Sequence, residues 1–390
     1  MTKKAELEKL AAQIQKEVSC YDEADPTAWV RIQDAMYQLR RATEPPNIFV
    51  MKQRFHAVQN VSIVAALEMG LLQLLVANKD KSMTVSELEE KSGYHFSLIA
   101  RVMRMMSAIS FVDEVGYQTY TANMNTVSQC EPGNSGGIIL TNDMIYCLGS
   151  KIREYLTENK PCDISKTPSA YEFAMGETTW ETFTKNPVWK KGFDDSMTLR
   201  NKTISTPWYK KYPVKENLSS AKPAIVDIGG NQGVDLQRFA ETFPEIECEL
   251  VLQDLPETLE RIPGSLDPKI KPTPYDFFTD QVIKGADIYY LKSVLHDWDD
   301  ISSQKILSNT AKAMQLHSRL LINEIVLSDT NESLVRCDMD MLMFYLCNGM
   351  ERTKSQWAEL LAKAEPPLKL VNVWSVPEDQ QSVIEARLLN

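Results

Sequence analysis

Residues 225–236 decide the fold, and they read Ile-Val-Asp-Ile-Gly-Gly-Asn-Gln-Gly-Val-Asp-Leu. The β-branched start of this stretch is typical of a buried parallel strand, and Gly229, Gly230 and Gly233 then free the backbone for a tight turn. The N-terminus of the helix that follows would favour an anionic or carboxylate-bearing group. The stretch therefore predicts a strand, a turn and a helix that bind a nucleotide-like cofactor. Plain packing of a strand against a helix is the alternative explanation of the glycines.

The glycine spacing and one acid narrow the choice of cofactor. The glycines follow the pattern G-G-x-x-G rather than G-x-G-x-x-G, and Asp227 lies in the strand end, where a dinucleotide-binding turn is usually apolar. Both features favour S-adenosylmethionine over NAD.

Two further strand-like segments also end in acids. Residues 249–254 end in Asp254, whose carboxylate could accept hydrogen bonds from the two hydroxyl groups of a ribose. Asp276 and Phe277 follow the next segment, where the carboxylate could accept from an adenine amino group while the phenyl ring offers a face to the base. Three consecutive strand ends with acids, behind a glycine turn, support the same cofactor.

A fourth apolar segment, residues 286–292, runs into a loop that reads Ser-Val-Leu-His-Asp-Trp at residues 293–298, and Met-Glu-Arg-Thr follows at residues 350–353. With these motifs the chain resembles the S-adenosylmethionine-dependent O-methyltransferases of plant and fungal secondary metabolism, which are related to caffeate and flavonoid O-methyltransferases. The resemblance covers most of the chain. It departs from the family at Asn231-Gln232, which replace the usual extra glycine and small residue of the cofactor turn.

The resemblance implies a role for each motif. The family's general base is the histidine of the first motif, so His296 inherits that role, and the two acids that hold the ring map to Glu324 and Glu351. The alternatives are a loop histidine that is satisfied by Asp297 and glutamates that are solvated. The residues implied in cofactor binding are Asp227 and Gly229 near the methionine part, Asp254 on the ribose, Asp276 and Phe277 near the adenine, Lys292 beside the cofactor, and Gly230, Gly233 and Leu255 around them.

Elementary chemistry agrees with an imidazole base. A phenol titrates near pH ~10, so about 0.1% is phenolate at neutral pH. An imidazole with a pKa of ~6.5 is a fitting base and typically contributes roughly 10²–10⁴-fold. Since a sulfonium methyl donor needs no metal for activation, we expect no metal, and the sequence contains no metal-ligand motif.

The first half of the chain has a different organisation. It is mostly helical up to about residue 210, which predicts one domain over residues 1–210 and a second, α/β domain with a Rossmann-like sheet over residues 211–390. Residues 84–87 form a capping signature, an amphipathic helix follows Gly93, and residues 111–121 predict a hairpin, so the pattern is that of a winged helix. Its presumed recognition helix carries only Arg101 and Arg104, too little for binding DNA. The resemblance implies instead that this domain forms a homodimer.

Residues 180–200 match the family segment that covers the substrate. An apolar stripe on the helix over residues 337–347 would contribute from the other side, although a stripe of methionine and aromatic residues is equally typical of a core. The residues expected to contact a flat, apolar acceptor are Phe173, Trp189, Phe193, Met197, Asp297, Met341, Phe344, Tyr345 and Asn348.

Bulk properties set the remaining limits. The 390 residues carry a net charge of -11, which argues against nucleic acid as a partner. We expect a cytoplasmic protein, because no apolar run resembles a membrane span or signal peptide and the seven cysteines include no C-x-x-C pair. Three functions remain: an O-methyltransferase of aromatic secondary metabolites, a pericyclase on the same scaffold, and a non-catalytic winged-helix regulator.

Overall fold

A computed structural model describes residues 2–25, 27–78, 81–203, 206–218, 223–262, 264–377 and 379–389. The chain forms two compact units, Met1–Asn142 with Lys191–Ser196, and Asp143–Lys190 with Met197–Asn390. This division differs from the predicted boundary at residue 210. Residues 143–190 belong with the second unit, where the Thr179 hydroxyl donates to the Leu346 carbonyl at 2.6 Å. The contact links residues 167 positions apart, which composition alone does not reveal.

The first unit is mostly helical, as predicted. Helix α5 has the predicted capping box, in which Thr84 and Glu87 bond each other's backbone amides, and it ends at Gly93 with φ 75°. The elements of this unit are α1 (Lys3–Ser19), α2 (Ala28–Thr43), α3 (Pro46–Glu68), α4 (Leu71–Ala77), β1 (Met83–Thr84), α5 (Val85–Ser92), α6 (Phe96–Ala108), β2 (Val112–Gly116), β3 (Thr119–Ala122) and α7 (Met124–Cys130), and α8 (Pro132–Glu158) follows.

A small antiparallel sheet with strand order β1-β3-β2 completes the predicted winged helix. Helix α6 buries the apolar face that the sequence predicts, including Ile99, Met103 and Met106, each fully inaccessible to solvent. Arg101 and Arg104 lie on its exposed side. The wing therefore packs around an apolar core that α4 and α5 complete.

The second unit contains an eight-stranded sheet with the path β10-β11-β8-β7-β4-β5-β6, and β9 pairs with β8. The strands from β8 to β6 are parallel, whereas β11 and β10 are antiparallel. Helix α11 (Pro187–Thr203) is divided between the units, since its residues 191–196 belong to the first. The other elements of this unit are α9 (Ala170–Met175), α10 (Thr179–Lys185), α12 (Trp208–Lys211), β4 (Ala224–Ile228), α13 (Val234–Thr242), β5 (Glu249–Asp254), α14 (Pro256–Leu259), β6 (Ile270–Pro274), β7 (Ile288–Lys292), α15 (Asp300–Ala311), β8 (Arg319–Leu327), α16 (Leu334–Cys347), β9 (Arg352–Thr353), α17 (Lys354–Ala362), β10 (Leu368–Trp374) and β11 (Gln381–Leu388).

Two apolar layers cover this sheet. The central strands are buried on both faces, since Ile225, Val226 and Ile228 of β4 are all inaccessible to solvent. On one face Trp208 stacks on Phe239 with ring centroids 5.6 Å apart. Because the parallel strands share one direction, their carboxyl ends meet at one edge, and ligands of open α/β sheets bind at that edge.

Among the described residues, no single helix is both long enough and apolar enough to span a membrane. The bent pair of α3 and α4, which meet at 57°, passes the same test only when the two are taken together. All seven cysteines lie within the described residues, and each is a free thiol.

Candidate active site

The glycine turn after β4 has the geometry that the sequence predicts. Gly229 and Gly233 have positive φ angles of 72° and 75°, and Asn231 adopts φ 51°. Asparagine tolerates this left-handed conformation better than most residues, which explains how it replaces the family's glycine. At Gly230 the constraint is space, because a Cβ there would lie 2.5 Å from Leu252 Cδ1 and 2.6 Å from the Asp227 carboxylate.

The acids of the first two strand ends gather beside this turn. Asp227 is 2% exposed, and burial, followed by the nearby charge of Asp235, raises its pKa well above the usual range. Asp254 is held by two backbone amides, those of Asn231 and Leu255, each at 2.8 Å. The fixed carboxylate keeps acceptor capacity for a ligand's hydroxyl groups.

Lys292 and Asp235 form a buried ion pair at 2.9 Å. Lys292 is a predicted cofactor residue, whereas Asp235 is not, although an acid in the first turn of a helix that follows a glycine turn is a recognisable signal. Asp235 Oδ1 has no hydrogen-bond partner, so one buried carboxylate oxygen is left for a donor.

The predicted adenine side lies at the loop after β6. Asp276 is exposed, and its Oδ1 accepts from the Phe278 amide at 2.9 Å. Phe277 is half-buried, and a Cβ on Gly229 would lie 3.9 Å from its ring, so this ring borders the glycine turn. Trp298 meets the same ring edge-on with centroids 6.0 Å apart.

His296 lies in a single 3-10 turn, Leu295–Asp297, that follows β7. The side chain is buried, and its Nδ1 lies 2.8 Å from Glu351 Oε1 and 3.7 Å from Glu324 Oε2. Nε2 lies 3.5 Å from Asp297 Oδ1. The tertiary structure thus brings together the three residues that the motifs nominate, and Asp297 approaches the opposite nitrogen.

The electrostatics of this cluster favour an imidazolium. Burial by itself lowers the pKa of His296, but the charges of Glu324, Asp297 and Glu351 and the hydrogen bond that the ring donates to Glu351 outweigh burial and raise the pKa to about 10. Burial raises the pKa of Glu324 to about 7 and that of Asp297 to about 6, against the opposing charge of His296. The ring therefore holds its proton firmly while these acids surround it.

Glu324 holds the turn as well as facing the ring. It lies inside β8, three residues before the strand ends. Its Oε1 accepts from the backbone amides of Val294 and Leu295 at 2.9 and 3.0 Å. Glu324 and Glu351 are fully buried rather than solvated, and the second oxygen of each has no hydrogen-bond partner.

His296, Glu324 and Glu351 also have ligand atoms within 4.8 Å of one another, a spacing that a cation could use. The 2.8 Å separation of Nδ1 and Glu351 Oε1 is that of a charge-assisted hydrogen bond. The close spacing of these three side chains is therefore explained by the proton on Nδ1, which bonds Glu351.

The other three histidines have local roles or none in this cluster. His95 caps α6 by accepting from the Ser97 amide. His317 lies in the turn before β8, with its Nε2 3.2 Å from the Gly285 carbonyl oxygen. His56 is exposed on α3.

The predicted acceptor contacts are distributed over both units. Trp189 and Met197 belong to the second unit with Phe173 and helix α16, whereas Phe193 belongs to the first. On α16, Phe344 and Tyr345 are half-buried and Met341 is 42% exposed. Asn348 donates to the carbonyls of Ile164 and Thr167, and its buried Oδ1 has no partner.

Comparison with known proteins agrees with this site. A model of the O-methyltransferase domain matches residues 151–365. The chain belongs to the O-methyltransferase family. O-methyltransferase ATR12 of Stachybotrys chlorohalonatus is 33% identical over 307 residues, which cover 75% of this chain and 75% of the relative.

Solved structures match over the whole chain. The crystal structure of OxaC has a TM-score of 0.85 and 27% identity, and it covers 100% of both chains. A pericyclic reaction enzyme has a TM-score of 0.87 at 23% identity, covering 99% of this chain and 100% of the other, and this likeness shows the fold alone. The O-methyltransferase described here has the class I fold of the family and depends on S-adenosylmethionine, without a metal.

The cofactor turn fits that group. Asp235 supplies a negative charge that its ion pair with Lys292 partly offsets, and the sulfonium and amino groups of the cofactor are cations. The unpartnered Asp235 oxygen offers an acceptor to such a cation. Gly230 packs so closely against Leu252 and Asp227 that the turn can follow this course only while that residue has no side chain.

Replacing Gly230 with alanine tests the cofactor turn. Because the new Cβ would overlap Leu252 and Asp227, we expect the Gly230→Ala variant to bind S-adenosylhomocysteine at least about tenfold more weakly, a loss of roughly 1.4 kcal/mol or more. Isothermal titration calorimetry measures this directly. Gly149→Ala is the matched control, since a Cβ there meets nothing within 4 Å, and equal affinity of the two variants would contradict the prediction.

Replacing Glu324 with glutamine tests the buried acid. The raised pKa means that the folded protein keeps a proton that the unfolded chain loses above pH ~4.5, so stability falls as the pH rises towards 7. The free energy of unfolding in urea, measured between pH 5 and 8, should fall in the wild type by an amount on the order of 2 kcal/mol because of this proton. This part of the pH dependence should be absent from the Glu324→Gln variant. Parallel stability profiles of the variant and the wild type would contradict the assignment.

Proposed function

We propose that this enzyme methylates a hydroxyl group, most simply a phenolic one, of an aromatic secondary metabolite, with His296 as the general base. The observation that supports this proposal is the buried imidazole whose Nδ1 lies 2.8 Å from Glu351 Oε1 at the carboxyl edge of the sheet. A Cβ on Gly229 would lie 3.0 Å from Val294 Cγ2, so the turn that carries His296 borders the cofactor turn. Base and methyl donor would therefore meet at one place.

The two ring nitrogens have separate tasks in this proposal. Glu351 fixes the proton on Nδ1, which leaves the lone pair of neutral His296 on Nε2. The acceptor's O–H proton moves to Nε2, while its oxygen forms the new bond to carbon. When bound, S-adenosylmethionine would supply the methyl group from its sulfonium, and the sulfur would become a neutral thioether. Because the pKa of His296 is raised to about 10, the ring is mostly imidazolium near neutral pH, and only its minor, neutral form can act as the base. Proton transfer from a phenol with a pKa of ~10 to this neutral form is nearly balanced.

The acceptor class is inferred from side chains on the helix that packs against the turn of His296. The half-buried rings of Phe344 and Tyr345 lie on α16, which packs against α9 and the turn of His296. OxaC has been solved with oxaline and with meleagrin. By analogy we propose a flat, largely apolar acceptor for this chain, with the buried Asn348 Oδ1 available to a donor group.

A pericyclic reaction remains the second candidate from the sequence. The fold is shared with a pericyclic reaction enzyme, but a pericyclic rearrangement needs no general base. The complete set of His296, Glu324 and Glu351, buried and in contact, favours methyl transfer.

Replacing His296 with alanine tests the proposed base. With a panel of phenolic metabolites and S-adenosylmethionine, we expect S-adenosylhomocysteine release by the wild type and a decrease of roughly 10²–10⁴-fold in the variant. The control is S-adenosylhomocysteine affinity, which should stay within a few fold. Release at the wild-type rate by His296→Ala would remove the role of this residue, and conversion of a substrate without release would support the pericyclic alternative.

We also propose that the first unit forms a homodimer. Its helices expose large apolar side chains that a second copy would cover, and four of them, Ile48, Met51, Phe55 and Val58, follow one another at helical spacing on α3. Trp29 on α2 is 61% exposed. The homodimer and the cytoplasmic location stay predictions.

Sedimentation equilibrium tests the homodimer. We expect a mass near twice 44.3 kDa for the wild type. In a Met51→Glu, Phe55→Glu double variant the dissociation constant of the dimer should rise by roughly 100-fold or more, because two buried charges would replace apolar contacts. Tyr117→Glu is the control, since Tyr117 is 89% exposed on the wing. A wild-type mass of 44.3 kDa at all micromolar concentrations would contradict the proposal.

A further inference from the structure

Four consecutive residues, 349–352, all bear on the turn that carries His296. The Met350 amide donates to the carbonyl oxygen of His296 at 2.8 Å, and Glu351 bonds the ring of the same residue. The neighbours on either side of this pair, Gly349 and Arg352, have no role in the chemistry described above. Their contacts nevertheless concern the backbone of the same turn.

Gly349 provides the space for this contact. A Cβ at this position would lie 2.1 Å from the His296 carbonyl oxygen and 3.1 Å from the carbonyl carbon and Cα of Asp297. Those atoms belong to the backbone, so the overlap has no flexible side chain to absorb it. Gly349 has an ordinary φ angle, in contrast with Gly229 or Gly233, so the requirement is steric and not conformational.

Arg352 bonds two further carbonyls, one in the turn and one directly after it. The residue is fully buried, and its Nη1 donates to the Leu295 carbonyl at 3.0 Å while Nη2 donates to the Trp298 carbonyl at 2.9 Å. Its Nε donates to Asp300 at 3.0 Å, and the guanidinium lies over the Trp357 ring at 5.3 Å. A planar fork with fixed donors spans two carbonyls, which a lysine ammonium cannot do in the same way.

The turn is therefore held at its amides by Glu324 and at its carbonyls by Met350 and Arg352. We propose that Gly349 and Arg352 are positioning residues of this enzyme, which fix the backbone of residues 295–298 so that the His296 ring meets Glu351. The inference rests on the proposed function of His296 as base. Neither residue touches the reacting atoms. Their effect is transmitted through the backbone of the turn, and misplacing a reacting group by about 1 Å can cost roughly 100-fold in rate.

The Gly349→Ala variant tests the steric part. We expect kcat to fall by roughly 100-fold or more, whereas the affinity for S-adenosylhomocysteine and the KM for the acceptor stay within about threefold, because the cofactor turn is untouched. Gly149→Ala is the matched control, with the same added methyl group in open space and no expected change. A kcat within threefold of the wild type for Gly349→Ala would overturn the proposal.

The Arg352→Lys variant tests the fork and covers the case in which Gly349→Ala does not fold. It keeps the buried cation that Asp300 pairs with but loses one of the two carbonyl contacts, so we expect kcat to fall by about tenfold or more with the acceptor KM nearly unchanged. Arg352→Gln, which loses the charge as well, should be no more active than the lysine variant. Full activity of Arg352→Lys would overturn the role of the fork.

A readout without turnover separates this inference from the proposed function. The chain has only four histidines, so proton NMR of ring-labelled protein gives few signals, and His296→Ala identifies the relevant one. We expect the pKa of the His296 ring to fall below about 10 in Gly349→Ala, because a displaced ring loses the hydrogen bond to Glu351 and moves relative to the charges of Glu324 and Asp297, and to stay unchanged in Gly149→Ala. An unchanged titration in both variants would overturn the positioning role even if His296 is the base. The expected shift together with an active His296→Ala would support the positioning role and reject the proposed base.

Discussion

The interior of this protein is organised around one buried histidine and the carboxylates that enclose it. Transfer of a charged group from water into a dry interior is costly unless the group is paired and hydrogen-bonded. His296 and Glu351 satisfy each other at 2.8 Å, and Glu324 receives two backbone amides from the turn that precedes the ring. The backbone of that turn cannot move without breaking these bonds. Its position is therefore tied to β8, which carries Glu324, and to the chain before β9, which carries Glu351.

The cofactor turn depends on a different constraint, which is steric. Gly230 approaches the side chains of Asp227 and Leu252 so closely that no Cβ fits, and Gly229 approaches Val294. These contacts join the end of β4 to the end of β5 and to the turn of His296. Close packing of backbone at the carboxyl edge of a parallel sheet thus places the acids of the cofactor site beside the base.

The sequence predicted the parts of this site that are local. The glycine turn, the capping box at Thr84 and the hairpin of the winged helix are confirmed, because each is specified by residues within a few positions of one another. The family is also confirmed, since its motifs are short and specific. The sequence did not predict a role for Gly349 or Arg352, although they directly follow the predicted residues Asn348 and Glu351. A glycine with an ordinary φ angle is not part of a recognisable turn pattern. An arginine is usually exposed, and nothing in its local sequence indicates that Arg352 is fully buried.

What the sequence by itself determined is the order of strands and helices, the cofactor turn and the identity of the histidine and its two acids. Only the tertiary structure decided that Glu324 lies inside β8 and holds backbone amides, that residues 143–190 belong with the second unit, and that residues 349–352 enclose the turn of His296. The physical reason is the distance along the chain. A capping box or a glycine turn is fixed by neighbours, whereas the contacts of His296 join residues 28 and 55 positions apart, and they exist only once the sheet has brought β7, β8 and β9 together.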